Sequence, residues 1–365
     1  MRVVDAFIEK ILIDGNMADS LNSIPPSDAV EMHLESMEYD SADWTQVSHE
    51  SHLRAFVEWC REHGGIDSMA DLDGRDLYQF RIWRRNGGYS KGQDEELAPK
   101  TIHGALATIR SFLRFCAQIE AVESDLYERV SLPSLSNHQE VSDSTIDPDR
   151  VPAILDYLGQ YEYASREHVI WTLIWHTGAR TGGVRALDLG DVDLDGETPG
   201  LDYVHRPATG TPLKNNEAGE RYNRISRSVA KTLRDYVDGP REDVEDDHGR
   251  RPLVSTRYGR VSPSSIRQTF YRWTRPCKVG LMCPHGEEPD TCEWATADGA
   301  SACPSSRSPH DVRKARVTKY RNDGVPRGVV SDRLDASEDV LDKHYDRASE
   351  REKADRRWQF IGGSK

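Results

Sequence analysis

The sequence contains no hydrophobic run long enough to cross a membrane. A transmembrane helix needs about 18 or more consecutive apolar residues, whereas apolar residues make up only 36% of this 365-residue chain. The N-terminal segment, Met1 to Ile13, contains Asp5 and Glu9 and has no small-residue cleavage site, so it does not resemble a secretory signal. We therefore expect a cytoplasmic protein with no membrane-embedded part.

Lysine is scarce, and basic charge as a whole is outweighed by acid. The chain has 11 Lys against 37 Arg, and its 62 acidic residues give a net charge of −14. Taken alone, this balance argues against a nucleic-acid partner, because DNA-binding proteins need basic surface. Excess acid with little lysine is, however, typical of proteins from salt-loving organisms, whose surface charge maintains solubility. A salt-adapted (halophilic-type) protein can keep a local basic groove within an acidic exterior; the alternative is an ordinary acidic cytosolic protein.

The six cysteines include no closely spaced Cys-x-x-Cys pair. Cys60 and Cys116 lie in apolar, helical segments and are predicted to be small core residues. The other four fall in one loop-like stretch, residues 275–308: Cys277, Cys283, Cys292 and Cys303. In a cytosolic protein such a cluster indicates metal more than disulfides. We expect a structural zinc bound by these four, with His285 as a possible alternative ligand; free thiols in a loop are the other interpretation.

The chain is too long for one ordinary core and suits two domains. Residues 1–140 are predicted to be helical, since apolar residues recur at helical spacing in Ser51–His63, Leu77–Trp83 and Thr101–Phe115. A polar stretch, Ser134 to Ser144, is the predicted linker. The basic run Arg81–Arg85, with Lys91 and Lys100, is interpreted either as a phosphate-facing surface or as a solvated helix face.

Residues 145–365 are predicted to form a mixed domain. It contains a buried helix over His168–His176, strands at 201–206 and 222–226, and a further helix over Ser264–Trp273. The charged tail from Arg347 to Phe360 is helix-prone and either docks on a neighbouring subunit or packs on its own domain. The predicted fold class is therefore mainly α with a small β-sheet: an N-terminal helical domain and a C-terminal α+β domain.

Three local patterns carry chemistry. In the first, a glycine ends a buried helix and an arginine follows at once, in Thr177-Gly178-Ala179-Arg180. In the second, Ser308 is a good N-cap and Pro309 suits the first helical position, so His310 and Arg313 lie on one face of the first turn. In the third, Leu334-Asp335-Ala336-Ser337 precedes Tyr345 by eight positions, counted from Ser337.

This order and spacing resembles the tyrosine recombinase (phage-integrase) family over about residues 45 to 350. The family uses a Thr-Gly-x-Arg element, a hairpin lysine, a His-x-x-Arg element and a Leu-Gly-His-Ser element before its tyrosine. The resemblance implies five catalytic residues, which are Arg180, Lys214, His310, Arg313 and Tyr345. It also implies an N-terminal core-binding domain that clamps double-stranded DNA, a C-terminal catalytic domain that carries the cysteine-rich stretch as an insertion, and self-assembly into dimers or tetramers on DNA.

The implied reaction suits these residue types. Phosphoryl transfer relies mainly on positioning and charge stabilisation, and two guanidiniums can grip the non-bridging oxygens of a scissile phosphate. Lys214 would protonate the departing 5′ oxygen, and His310 would accept the tyrosine proton or hold the phosphate. A 3′-phosphotyrosine would conserve the bond energy for rejoining, so we expect neither ATP nor a catalytic cofactor. The alternatives to catalytic roles are purely structural ones: a surface arginine (Arg180), a solvated lysine (Lys214), a helix-capping histidine (His310) and a core tyrosine (Tyr345). His344 is the neighbouring alternative nucleophile.

Two positions depart from the family pattern. Ala336 stands where the family has histidine or tryptophan, and Gly183 stands where it has an acid, three residues after Arg180. Loss of one transition-state donor typically lowers a rate by about 10²–10³. The expected function is therefore site-specific DNA recombination, with two alternatives: a catalytically weak or inactive DNA-binding regulator, and an enzyme like the type IB topoisomerases.

Overall fold

The computed structural model describes residues 21–37, 43–89, 96–136, 144–345 and 348–361, apart from the side chains of 43–47, 344 and 359–361. The chain divides into two compact units, Met1–Glu140 and Val141–Lys365. Among the described residues, no helix is long and apolar enough to span a membrane. Part of the predicted linker, residues 137–143, lies outside the described residues.

The first unit is helical in its described parts. Its α-helices are Pro26–Met37, Asp43–Trp59, Gly74–Arg85 and Pro99–Gln118. An aromatic cluster fills the core between them, where Phe56 lies edge-on to Phe80 and to Phe112, and Trp59 packs on Phe80. Cys60 and Cys116 are buried in this core, as predicted from their apolar segments. The three segments with helical apolar spacing thus lie in helices, because burial of one apolar face drives helix packing.

The basic run of the first unit is not a uniform phosphate-facing surface. Arg84 is buried and donates to the carbonyl oxygen of Gly88, so that part of the prediction is wrong. Arg85 is exposed and lies 3.8 Å from the carboxylate of Glu96. Lys91 lies outside the described residues.

The second unit is a mixed helical domain with two small antiparallel sheets. Its longer α-helices are Arg150–Tyr161, Arg166–Thr177, Arg227–Asp238, Pro263–Trp273, Pro309–Asn322, Arg327–Leu334 and Glu350–Ile361. Strands β1 (Val192–Asp193), β2 (Gly200–Tyr203) and β3 (Arg221–Arg224) form one sheet in that order, with Leu201 opposite both Val192 and Asn223. Strands β4 (Ser255–Thr256) and β5 (Gly259–Arg260) form a hairpin. The predicted fold class, mainly α with a small β-sheet, is confirmed.

Both predicted strands of the second unit end earlier than the sequence suggested. Strand β2 ends at Tyr203, since the chain turns through the 3₁₀ segment Pro207–Thr209, and Arg206 forms an isolated bridge with Thr211. Strand β3 ends at Arg224 because the Ser226 side chain caps the next helix, accepting from the backbone N–H of Val229. A good N-cap residue favours the start of a helix over the continuation of a strand.

Two apolar clusters organise the second unit. The helix Arg166–Thr177 is buried on nearly all sides, and the Trp171 ring packs on Phe270 with their centroids 4.3 Å apart. A smaller cluster joins the last part of the chain to the helix Pro309–Asn322 through Val317, Val330, Leu334, Ala336, Leu341 and Tyr345. This second cluster holds the predicted nucleophile.

The C-terminal helix, Glu350–Ile361, packs on its own unit. Asn322 donates to Glu352 at 2.8 Å, and Arg356 donates back to Asn322 at 2.7 Å. Trp358 is 67% exposed, so this part of the tail lies open at the surface of the unit.

Candidate active site

The turn at Thr177–Arg180 places the first predicted arginine. The buried helix ends at Gly178, whose φ of 68° is a left-handed conformation that suits glycine. A Cβ at this position would stand 2.8 Å from Cγ of Leu334, so the close approach of these two segments also requires glycine. Arg180 follows and begins the short helix Thr181–Ala186. Its guanidinium is thereby directed at the chain just after Leu334.

The second predicted arginine lies in the first turn of the helix Pro309–Asn322. Ser308 and Asp311 form the capping box that starts this helix, as the sequence predicted for Ser308. Arg313 is only 1% exposed, and its guanidinium donates to the carbonyl oxygens of Gly178 and, at 2.9 Å, of Leu334. Arg313 therefore joins the turn that carries Arg180 to the segment that precedes the tyrosine.

Tyr345 lies beside both members of the His-x-x-Arg pair. It is the last residue of a π-helical turn, Leu341–Tyr345, and is 5% exposed. The Tyr345 ring centroid is 5.2 Å from that of His310 and 5.0 Å from Cζ of Arg313. Three of the five predicted catalytic side chains thus form one contact cluster. The side chain of the neighbouring His344 lies outside the described residues.

Asp335 connects Arg180 to the turn that contains Lys214. Its carboxylate accepts from Nη1 of Arg180 at 2.7 Å and from the side-chain amide of Asn215 at 2.7 Å. Lys214 precedes Asn215 in the turn between β2 and β3, and its side chain is exposed. The Lys214 ammonium makes no hydrogen bond or ion pair with the described residues, so its turn is at the site while its charge points into solvent.

Burial and neighbouring cations set the electrostatics of the cluster. His310 is exposed on one side, but desolvation by the protein around its ring, together with the charges of Lys314 and Arg313, lowers its pKa to about 4. Burial lowers the pKa of Arg313 to about 10, with Tyr345 opposing that shift. At neutral pH the imidazole is therefore neutral and free to accept a proton, while the guanidinium keeps its charge.

Sequence reasoning missed Asp335, Asn215 and Arg221 as parts of this site. Arg221 stacks on the Tyr203 ring, 4.2 Å from its centroid, and donates to the carbonyl oxygens of Gly219 and Arg333. The available signal was Asp335 itself, an acid placed directly after a helix and within the third motif. Its partners are 155 and 120 residues away in sequence, so spacing alone does not reveal them.

The two departures from the family pattern are small buried residues. Ala336 is 6% exposed and packs among apolar side chains, where it supplies no side-chain hydrogen bond. A Cβ on Gly183 would lie 3.3 Å from the Tyr203 ring, so a larger side chain there requires the ring to shift. In the described structure, positions 336 and 183 are therefore closely packed against neighbouring side chains and carry no polar group.

The cysteine-rich stretch, all of it described, does not form a cluster of ligands. Cys303 is buried, whereas Cys277, Cys283 and Cys292 are partly exposed, and all four are free thiols. Among the described residues, no group of three or more His, Cys, Asp or Glu side chains is arranged to hold a metal ion. His285 lies instead 2.8 Å from the Ser305 hydroxyl. As placed, these residues do not fit a four-ligand zinc site, and zinc stays a prediction.

Comparison with known proteins supports one class of fold. No protein-family model matches the chain. Tyrosine recombinase XerC 2 of Ralstonia nicotianae is 28% identical over 167 residues, which are 45% of this chain and 46% of that protein. The chain thus matches about half the length of that relative.

Two solved structures share the fold over almost the whole chain. The Tn1549 transposon integrase, in complex with transposon right end DNA, has a TM-score of 0.61 and 11% identity and covers 93% of this chain and 100% of its own. A lambda integrase dimer bound to a COC′ core site has a TM-score of 0.56 and 14% identity and covers 96% and 87%. The chain therefore shares the fold of these two integrases. The partial sequence similarity to a tyrosine recombinase, XerC 2, agrees with this fold.

Proposed function

We propose that this chain is a site-specific DNA recombinase of the tyrosine type, which cuts and rejoins DNA through a 3′-phosphotyrosyl intermediate on Tyr345. One observation carries the proposal: the Tyr345 ring lies beside a neutral histidine and below a buried, charged arginine. Nearby positive charge is what a tyrosine needs to act as a nucleophile, because its hydroxyl is weakly acidic, with a reference pKa of about 10.

The proposed first step is an in-line attack on a DNA phosphate. Arg313 and Arg180 hold the non-bridging oxygens, which places positive charge where negative charge develops. His310 takes the proton from the Tyr345 hydroxyl as its oxygen attacks phosphorus. The bond between phosphorus and the 5′ oxygen breaks, and Lys214 donates the proton that this oxygen needs to leave.

The second step is the reverse of the first with a new strand. The 5′ hydroxyl of another strand attacks the phosphotyrosine, the tyrosine leaves, and the same two arginines hold the phosphate. One phosphodiester is exchanged for another, so the reaction needs no ATP. Exchange between two duplexes requires more than one active site, which is the reason to propose dimers or tetramers on DNA.

Double-stranded DNA is the proposed partner of the chain. The integrases of similar fold were solved with DNA, which supports this proposal. Arg180, Arg313 and Lys314 bring positive charge close to His310 within a chain of net charge −14. Such a protein acts where genomic DNA lies, which agrees with the cytoplasmic location expected from the sequence.

A trapping experiment tests the proposal. The protein is incubated with nicked duplexes from its own genomic neighbourhood. After cleavage, the short strand that carries the free 5′ hydroxyl diffuses away, so that the DNA cannot be rejoined. We expect a covalent protein–DNA complex with the wild type and none with Tyr345→Phe. A wild type that binds the duplex but forms no adduct on any such substrate would contradict the proposal.

A DNA-binding regulator without catalysis is the second candidate. Ala336, buried and without a side-chain donor, favours it, as does the low exposure of Tyr345. In that case the protein binds specific duplexes, and substitution of Tyr345 changes nothing in its behaviour towards DNA. The same trapping experiment decides between the two candidates.

A further inference from the structure

Asp335 occupies a central place in the cluster, although the third sequence pattern, which contains it, gives it no role. It follows the helix Arg327–Leu334, whose last residue accepts a hydrogen bond from Arg313. Its carboxylate receives Arg180 on one oxygen and Asn215 on the other. One side chain thus connects the first arginine to the lysine turn, next to the backbone that holds the second arginine.

We propose that Asp335 is the positioning residue of this site, which holds the Arg180 guanidinium and the Lys214–Asn215 turn in the arrangement that receives a phosphate. The role of Asp335 in cleavage rests on the function proposed above, whereas its hold on Arg180 is a property of the free protein.

The ion pair with Asp335 fixes the position of the Arg180 side chain. That side chain is 26% exposed, and Asp335 is its single hydrogen-bond partner among the described residues. The helix that Arg180 begins, Thr181–Ala186, contains no acid that could take this role. Since an arginine has five donors, a contact through Nη1 leaves the others available for phosphate oxygens. Asp335 therefore limits the rotation of the guanidinium without blocking it.

The backbone around Asp335 is shaped to hold a carboxylate there. Asp335 has a φ of 54°, in the left-handed region that most residues avoid and that Asp and Asn tolerate best after glycine. Across from it, a Cβ on Gly219 would stand 3.1 Å from Oδ2 of Asp335, so any larger residue at 219 would crowd the carboxylate. Two unusual local features thus coincide at one side chain.

The negative charge of Asp335 predicts different effects of its removal on DNA binding and on DNA cleavage. A carboxylate next to Arg180 repels a phosphate, so its removal should not weaken DNA binding. If the carboxylate positions Arg180, its removal should still slow cleavage. A purely structural residue would give the opposite pattern, in which binding and cleavage are lost together.

The first test compares Asp335→Asn and Asp335→Gly with the wild type. Both replacements suit a positive φ, and Asn keeps an acceptor of the same shape. We expect DNA affinity equal to or tighter than that of the wild type, with single-turnover cleavage of nicked DNA slowed at least about 10-fold in Asp335→Asn and further in Asp335→Gly. Asp332→Asn is the matched control, because Asp332 is an exposed acid three residues earlier whose side chain does not contact Arg180. Unchanged cleavage in Asp335→Gly, or affinity that falls in parallel with the rate, would overturn the proposal.

The second test needs no cleavage. In protein labelled with ¹⁵N-arginine, the Nε–H signal of Arg180, assigned by its absence in Arg180→Ala, reports guanidinium motion on the picosecond–nanosecond scale. We expect restricted motion in the wild type and in Asp332→Asn, and a clear increase in Asp335→Gly. If the wild type forms no covalent adduct, the proposed reaction fails while this signal still decides the hold on Arg180. Equal motion of the Arg180 guanidinium in all three proteins would overturn the proposal that Asp335 positions it.

Discussion

The guanidinium of Arg313 lies 5.0 Å from the centre of the Tyr345 ring and is hydrogen-bonded to the carbonyl oxygens of Gly178 and Leu334. A buried arginine held in this way is both a structural connection and a fixed charge beside the nucleophile. The two roles predict different consequences for its replacement than for the replacement of Arg180, which is half-buried.

Replacement of Arg313 should reduce stability as well as chemistry. Arg313→Ala leaves two buried carbonyl oxygens without a donor, and an unsatisfied buried group costs about 1–3 kcal/mol. We expect a loss of that order in the free energy of unfolding, measured with urea, together with loss of cleavage. Arg351→Ala, which removes an exposed arginine of the C-terminal helix, is the control and should change neither. Wild-type stability in Arg313→Ala would show that these hydrogen bonds contribute nothing.

Cleavage should depend on the protonation state of His310. Because the pKa of this imidazole is lowered to about 4, its neutral form prevails from neutral pH down to about pH 5. The single-turnover rate on saturating DNA should therefore show no inflection near pH 6.5 and should fall as the pH approaches 4. An inflection near 6.5 that His310→Gln removes would show that the histidine titrates with an unshifted pKa.

The first unit should lose stability in mild acid. His33 is 5% exposed and packs against Phe112 and Phe115, and burial together with the charge of His49 lowers its pKa to about 4. The unfolded chain binds the proton from about pH 6.5 downwards, so the stability from the neutral ring is present above 6.5 and is lost as the pH falls towards 4. We expect a decrease of about 1–3 kcal/mol in the free energy of unfolding between pH 7 and pH 5.

An apolar replacement isolates the contribution of His33. His33→Leu should flatten the pH dependence of urea unfolding, since no proton is taken up at this position. An equal pH dependence in the wild type and in His33→Leu would assign the acid sensitivity to other groups.

Salt should have an unusual effect on this protein. The chain carries a net charge of −14 with only 11 lysines, while phosphate contacts weaken as salt rises. We predict that it is salt-adapted, with solubility maintained at high salt and a cleavage optimum well above physiological ionic strength. Cleavage and light scattering in a KCl series from 0.1 M to 3 M check this. An optimum near 0.1 M with precipitation at high salt would remove the salt-adapted hypothesis.

The zinc hypothesis predicts about one zinc per chain in metal analysis of the purified protein. The cysteines do not meet in the described structure, so binding would require the stretch to rearrange around the ion. Cys283→Ser should then lower thermal stability, whereas Met282→Ser, at an adjacent position that is 92% exposed, should not. Metal-free protein of unchanged stability and activity would leave these residues as ordinary thiols.

The parts of the site that are local in sequence could be predicted from it. Gly178 as a helix end and Ser308 as a helix start follow from backbone and capping chemistry within a few residues. The ends of the strands were harder to predict. Ser226 is compatible with the end of a strand and with the N-cap of a helix, and in the structure it is the N-cap.

The parts that depend on distant segments could not be predicted. The pairing of Asp335 with Arg180 joins residues 155 positions apart, and no periodicity or cap encodes it. The burial of Arg84 has a local origin, since its guanidinium donates to the carbonyl oxygen of Gly88 four residues later, and the basic run itself does not indicate this turn. The cysteine spacing was equally uninformative, because loop spacing alone does not determine whether four thiols meet.

The arginines should contribute to cleavage in addition to binding. Arg180→Ala removes one of the two proposed phosphate donors, and loss of one such donor typically lowers a rate by about 10²–10³. We expect a rate reduced by that factor on nicked DNA, with a smaller loss of affinity measured by fluorescence anisotropy. Arg180→Lys, which keeps the charge without the planar fork, should recover only part of the rate.

Mapping the covalent attachment tests the central claim most directly. After trapping on nicked DNA and digestion with protease and nuclease, mass spectrometry should find the nucleotide on the peptide that contains Tyr345, and Tyr345→Phe should bind the same DNA without forming an adduct. The hydroxyl is all that this substitution removes, so packing and binding should be preserved. His344 is the internal control, since it lies in the same peptide and should carry no nucleotide. Attachment to any residue other than Tyr345, or cleavage that survives in Tyr345→Phe, would contradict the account.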